Sequence, residues 1–450
     1  MEAYAAAASP RTAAMGVDKL SYQLFSLLES KFLFGAGAGA GCLSSGPGTP
    51  ARAFLDGGRV RVLAIDGCGA GAEDALLAAA ALARLEAGLR EQAGDPDARV
   101  ADFFDVAAGA GAGGVLATTL FLRGPDGRPR YSAQEALAFV AGSVGKKDGW
   151  GDRRGRWAKM FRGYRSGERV FQRLFGEATL RDTVAPLLVP CYDLATAAPF
   201  VFSRADAVES DTFDFRLRDV CAATCAAGRE PVAVRSVDGL TAIAAASAGV
   251  AAMGNPAAAA ITHVLHNKQE FPLATSVEDI LVLSIGAGAS ATAYDGSSTP
   301  MPTRSPSPRE LARVTAQGVA DMVDESVAMA FGHTCGSNYV RIQAGKAAPA
   351  PLRADSAASA AGAMLAQRNV ESVLFRGRRL SERTNAEKVD ALAAELVKEQ
   401  ERRRRSPLPN VAIKQVGTPR LSSATTSSSG TATARTASTM PSPASWDSRR

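Results

Sequence analysis

The stretch Asp102-Phe-Phe-Asp-Val-Ala-Ala-Gly-Ala-Gly-Ala-Gly-Gly-Val-Leu-Ala117 limits what this chain can fold into more than any other. An apolar run ends in Gly109-Ala110-Gly111-Ala112-Gly113, and a helix-compatible segment, Gly114 to Phe121, follows at once. Strand, tight small-residue turn and helix is the setting of the G-x-S-x-G nucleophile elbow. There the flanking glycines lack Cβ atoms, so the backbone turns sharply and exposes the central side chain. Here the central residue is Gly111, which has nothing to expose. Glycine-alanine runs also occur without this setting: Gly35 to Gly41 repeats the pattern with no strand before it.

A second glycine turn lies upstream and strengthens the functional reading. Arg59-Val-Arg-Val-Leu-Ala-Ile65 alternates and then turns wholly apolar, as a strand entering a sheet does. Asp66-Gly-Cys-Gly-Ala-Gly71 follows, and then an Ala/Leu-rich helix to about Arg90. Such a turn aims backbone N–H groups at an anion or an oxyanion. This turn reads G-x-G-x-G and not the G-x-G-x-x-G of a dinucleotide site, and no acidic residue follows a clear second strand at the distance such a site needs.

The net charge of +6 is unevenly placed. From Glu401 onward there are nine Lys/Arg against Glu401 and Asp447, which leaves residues 1–400 at −1. The body is therefore no polyanion binder, and no nucleic-acid partner is expected. Six scattered cysteines, with Cys221 and Cys225 spaced i, i+4 and no second ligand pair, read as buried free thiols in a reducing compartment. No metal and no cofactor is expected; His263 and His266 read as one helix face, and His333 lies in another helical segment. The opening residues lack a signal-peptide pattern, and the uncharged run from Leu240 to Ile261 is broken by Gly254-Asn255-Pro256, so it reads as buried core. The expected location is cytoplasmic, with peripheral membrane contact.

Several stretches, taken together with the two glycine turns, resemble the patatin-like lipid acyl hydrolases. More narrowly they resemble a plant subgroup with glycine in place of the elbow serine. The stretches are Leu188 to Thr196, Phe213 to Cys225, Ile261 to Lys268 and Gly336 to Ile342, and the resemblance covers roughly residues 18–380. It implies an α/β fold, patatin-like, with a mostly parallel central sheet wrapped by helices and a disordered C-terminal tail. It also implies an oxyanion hole at Gly67, Cys68, Gly69, Ala70 and Gly71. The elbow maps onto Gly109, Gly111 and Gly113, with the nucleophile position at Gly111. The family's partner aspartate, which precedes an Asn-Pro helix start, falls on Ser247 before Asn255-Pro256, to within one residue.

Neither substitution leaves a working dyad. Gly111 has no hydroxyl, and Ser247 is not ionised near neutral pH and cannot serve as a general base. Loss of a serine nucleophile costs on the order of 10⁶ in kcat. Asp238-Gly239 is a second Asp-Gly pair but reads as a two-residue hairpin turn, and Cys68 is a thiol at a helix start without an evident histidine base.

Four segments are expected: 1–52, an amphipathic helix (Asp18 to Phe34) and Gly/Ala linker; 53–345, the acyl hydrolase domain; 346–405, a helical extension; and 406–450, a disordered Ser/Thr/Pro-rich basic tail. In the domain, Arg309 to Phe331 reads as a helix with Val314, Val319, Met322, Val323 and Val327 inward. The basic and aromatic segment Lys146 to Arg165 fits a solvated loop, a lipid headgroup boundary or RNA; with Arg402 to Arg405 it offers contact to an anionic membrane surface. The resemblance implies a phospholipase A or galactolipase type of acyl hydrolase acting on membrane phospholipids or galactolipids. The residues themselves favour weak or absent activity; the alternative is an inactive lipid-binding or regulatory protein.

Overall fold

The computed structural model describes residues 58–67, 72–144, 164–226, 231–247, 253–286, 305, 308–332, 336–344, 354–373, 377–406 and 411–413. In chain order its elements are β1 (Val60–Ile65), α1 (Ala72–Ala93), β2 (Val106–Gly109), α2 (Gly111–Phe121), α3 (Ala133–Val144), α4 (Tyr164–Phe175), β3 (Leu187–Asp193), β4 (Ala198–Ser203), α5 (Arg204–Glu209), α6 (Leu217–Thr224), β5 (Val232–Arg235) and β6 (Ala242–Ala246). They continue with α7 (Ala257–His266), β7 (Ile280–Ile285), α8 (Pro308–Phe331), β8 (Tyr339–Ile342), α9 (Ala354–Ala366), β9 (Arg368–Val373), β10 (Gly377–Thr384) and α10 (Asn385–Arg405).

One mixed sheet of eight strands organises the chain, in the order β5-β6-β3-β2-β1-β7-β8 with β4 also paired to β3. The pairs β3–β2, β2–β1, β1–β7 and β7–β8 are parallel; β3–β4, β3–β6 and β5–β6 are antiparallel. The parallel strands are mostly apolar because helices cover both faces, with Arg61, Ser284 and Arg341 among the buried polar exceptions. Leu63 and Ile65 of β1, with Leu281, Leu283 and Ile285 of β7, join Leu76, Leu77, Val115, Leu116 and Leu396 on one face. Val60, Val62, Ile280 and Val282 join Ile261, Val264, Phe271, Val327 and Phe331 on the other. The α/β architecture agrees with the expectation.

The one charge inside β1 has its own partner. Arg61 is buried and donates to Asp105 from its backbone N (2.8 Å), Nε (3.3 Å) and Nη2 (3.1 Å). Arg403 of α10 closes on the same carboxylate, its Nη2 at 2.7 Å from Asp105 Oδ2. Burial alone would raise the pKa of Asp105, but the two guanidiniums overcome it and hold the value at about 2. α10 starts on a capping box between Thr384 and Glu387, and it buries Val389, Leu392, Ala393 and Leu396.

Several expectations need correction. Met322 is 57% exposed: α8 turns Ala320, Asp324 and Val327 inward, while Val319 and Val323 are half-buried. Between Leu240 and Ile261 the chain forms β6 and the start of α7, and Leu240 itself is 78% exposed, at the tip of a hairpin and not in the core. The 346–405 extension holds an antiparallel pair, β9–β10, between its helices. Arg403 is engaged with Asp105 and the Arg59 carbonyl, so it is not a free membrane-facing charge. The Asp18 to Phe34 helix, the Lys146 to Gly163 part of the basic-aromatic segment and the tail beyond 413 lie outside the described residues. Among the described residues no helix is long and apolar enough to cross a membrane.

Candidate functional site

The two glycine turns meet at the carboxyl ends of β1 and β2. The Ala110 N–H donates to the Ile65 carbonyl (3.1 Å), which carries the β1–β2 pairing into the turns, and the Asp66 N–H donates to Ile285 on the other side (2.9 Å). α2 begins at Gly111, three residues earlier than the sequence suggested, so strand passes into helix through Ala110 alone. Gly111 has φ +51°, the left-handed region that a nucleophile elbow requires. The elbow is therefore formed, and the residue at its apex has no side chain.

The space above that apex is filled. A Cβ on Gly111 would lie 2.4 Å from the carbonyl oxygen of Gly67, and one on Gly67 would lie 1.9 Å from the Ala110 carbonyl oxygen. Gly109 and Gly113 are equally committed, with Cβ positions 2.4 Å from the Gly113 oxygen and 2.3 Å from the Ile65 oxygen. The backbone of the first turn thus rests directly on the second.

The N–H groups of Gly67 and Gly111 are already taken up. Gly67 N–H donates to the Gly254 carbonyl (3.1 Å). Gly111 N–H donates to Thr224 Oγ1 (2.9 Å), and that hydroxyl donates onward to the Pro190 carbonyl (2.7 Å). Ser247, buried at the end of β6, donates its N–H to the Ala226 carbonyl (3.1 Å). The end of α6 therefore ties the Gly111 and Ser247 positions together through Thr224 and Ala226. Cys68, Gly69, Ala70 and Gly71 lie outside the described residues. Among the described residues the one hydroxyl beside the apex is that of Thr224, buried and engaged with both Gly111 and Pro190, and Gly67 has no unengaged N–H for an oxyanion.

Beneath the first turn lies a buried polar cluster. Arg341 of β8 donates from Nη2 to Asp66 Oδ2 (2.5 Å) and from Nη1 to Ser284 Oγ (2.6 Å). Its Nε lies 3.4 Å from Asp324 Oδ1 of α8, to which Tyr339 also donates. Burial pushes the Asp66 carboxyl up to about 6 even though Arg341 opposes it, with Asp324 and Asp321 adding to the rise. Asp66 Oδ1 is buried without a hydrogen-bond partner among the described residues.

The other candidates resolve plainly. Asp238 is exposed, and it accepts from Ser236 Oγ (2.6 Å) and Leu240 N–H (3.0 Å) within the β5–β6 hairpin. That hairpin closes at Ser236 N–H to Thr241 O (2.9 Å), so four residues form the loop instead of two; Asp238 hydrogen-bonds across it and sets its width. Cys191, Cys221 and Cys225 are buried free thiols, and burial raises all three above the usual thiol range. His263 and His266 lie on α7, His263 beside Glu270; His333 is outside the described residues. No cluster of metal-ligating side chains occurs among the described residues.

Sequence reasoning missed Thr224, Gly254 and Arg341. Only Arg341 left a signal, as a charge inside the apolar strand Tyr339–Ile342. Thr224 acts through its hydroxyl and Gly254 through its backbone carbonyl, in contacts that only the folded chain brings about.

A family model described as "Patatin-like phospholipase" matches residues 63–228. Patatin-like protein 3 of Oryza sativa subsp. indica is 54% identical over 401 residues, spanning 86% of this chain and 92% of its own length. Patatin-like protein 7 of Arabidopsis thaliana is 44% identical over 422 residues, 88% and 84% of the two chains. Probable inactive patatin-like protein 9 of the same plant is 37% identical over 395 residues, 85% and 93%.

Proposed function

Because the chain belongs to the patatin-like phospholipase family, we propose that it engages lipid acyl esters with little or no turnover through its elbow. The observation that carries this reading is the apex itself: Gly111 has no side chain, and the Gly67 carbonyl oxygen lies 2.4 Å from where a Cβ would be. Ser247 in place of a carboxylate removes the second half of the dyad that the resemblance implies. Proximity and binding survive such losses, whereas covalent acyl transfer does not.

The partners in this reading are membrane phospholipids or galactolipids, met at an anionic surface from the cytoplasmic side. The supporting feature is charge: the last fifty residues carry +7 while the remainder carries −1, and with Arg403 held by Asp105 the segment still carries +6. The test is a paired measurement on the purified full chain with phospholipid and galactolipid vesicles, scoring co-sedimentation and fatty-acid release together. Binding without release above background is expected. Release at the rate of an active acyl hydrolase would reverse the reading and point to a nucleophile elsewhere, with Cys68 the first to replace.

A further inference from the structure

Asp66 links two parts of the molecule that face in opposite directions. Its backbone and that of Gly67 press on the elbow: a Cβ on Gly113 would lie 2.6 Å from the Asp66 carbonyl oxygen, and one on Gly111 would lie 2.4 Å from that of Gly67. Its side chain turns away, into the cluster between β7, β8 and α8. There a single guanidinium, Arg341, serves two buried carboxylates: Asp66 at 2.5 Å and Asp324 at 3.4 Å. Ser284 of β7 and Tyr339 of β8 are the uncharged members. Asp321 and Glu325 of α8 add further negative charge around Asp324 and Asp66. With both inner carboxylates ionised, the cluster carries an uncompensated buried charge, which a low-dielectric interior disfavours. Asp66 has a buried oxygen, Oδ1, with no partner among the described residues, where a proton can reside.

We propose that Asp66 and Arg341 are positioning residues that form a proton-dependent clasp, holding the Asp66–Gly67 turn down on the elbow while the cluster retains one proton and loosening it when that proton leaves. The direction follows from linkage. The carboxyl of Asp66 titrates near 6 when the turn is seated, above the value of about 3.9 for an exposed aspartate. The seated state therefore binds the proton more tightly. Its advantage is complete below the exposed value and is lost as pH rises through about 6.

The test is amide hydrogen exchange of the full chain at pH 5 and pH 8, corrected for intrinsic base catalysis, read on peptides carrying Gly67 and Gly111. Their N–H groups are bound to Gly254 O and Thr224 Oγ1 in the seated turn. Protection at both is expected to fall on the order of tenfold between the two pH values. Asp66→Asn, permanently uncharged, keeps the protection at pH 8, and so does Asp324→Asn, which leaves Asp66 and Arg341 paired one to one. Peptides of α1 and β3 serve as the reference for global stability. Protection at Gly67 that does not vary with pH would overturn the proposal. So would an Asp66→Asn variant with the same pH dependence as the parent chain. No lipid enters the measurement, so its outcome is independent of whether the chain binds or hydrolyses one.

Discussion

The carbonyl oxygen of Gly67 lies 2.4 Å from where a Cβ on Gly111 would be. Gly111 therefore leaves no gap in this turn, because the neighbouring turn has taken up the room. Gly111→Ser meets both a left-handed backbone, costing about 1–2 kcal/mol, and overpacking, costing about 1–3 kcal/mol. The variant is expected to lose stability by about 2–5 kcal/mol in urea unfolding. Stability unchanged from the parent would show that the turn yields freely.

The same relationship governs attempts to rebuild the dyad. Gly111→Ser alone gives the hydroxyl no carboxylate partner, and Ser247→Asp alone gives a carboxylate no nucleophile. The double variant is expected to hydrolyse a soluble ester faster than the two singles combined, because such residues work as a unit. A four-variant rate comparison with purely additive or null effects would mean either that the filled elbow leaves no working site or that the aspartate equivalent lies somewhere other than Ser247.

Ala197 is the only residue other than glycine with positive φ among the described residues, at 54°, in the exposed turn between β3 and β4. Asp193 clamps that turn by accepting from Ala195 N–H (3.1 Å) and Thr196 Oγ1 (2.7 Å). Ala197→Gly removes the Cβ penalty and buries nothing less, so it is expected to stabilise the fold by roughly 1 kcal/mol. A lower melting temperature in calorimetry would contradict this.

Asp105 contributes to the fold's acid sensitivity at the other end of β1. Its folded pKa of about 2 lies below the unfolded value, so its stabilisation is present above pH 4 and is lost as pH falls toward 2. Asp105→Asn strands Arg61 and Arg403 with a weakened partner and is expected to cost about 3–5 kcal/mol at pH 7. The variant's stability should then fall less steeply than the parent's between pH 4 and pH 2, which urea titrations across that range would reveal.

The parts of this architecture that local chemistry dictates were legible in the sequence. The apolar run into Ile65 and the spacing Gly109, Gly111, Gly113 marked two βα turns, because buried parallel strands and sharp turns leave composition no freedom. The Asn255-Pro256 pair marked the start of a helix, and α7 begins directly after it. What stayed hidden depends on distant segments meeting. Nothing local says that Thr224 receives the Gly111 N–H, or that Gly67 donates to Gly254. Met322 was misplaced because an Ala-rich helix such as α8 carries apolar residues around much of its circumference, so spacing alone does not choose the buried side. The width of the hairpin at Asp238 was missed for a related reason: Ser236 and Thr241 close it through their own hydrogen bonds.

The central claim is that no nucleophile serves this elbow. It is tested most directly by treating the intact chain with a serine-directed fluorophosphonate and mapping adducts by peptide mass spectrometry, with fatty-acid release measured on the same samples. The account predicts no stoichiometric adduct on any serine, Ser247 included, and no release for the reagent to abolish. A stoichiometric adduct at Ser247 or another serine, accompanied by loss of measurable acyl release, would contradict it.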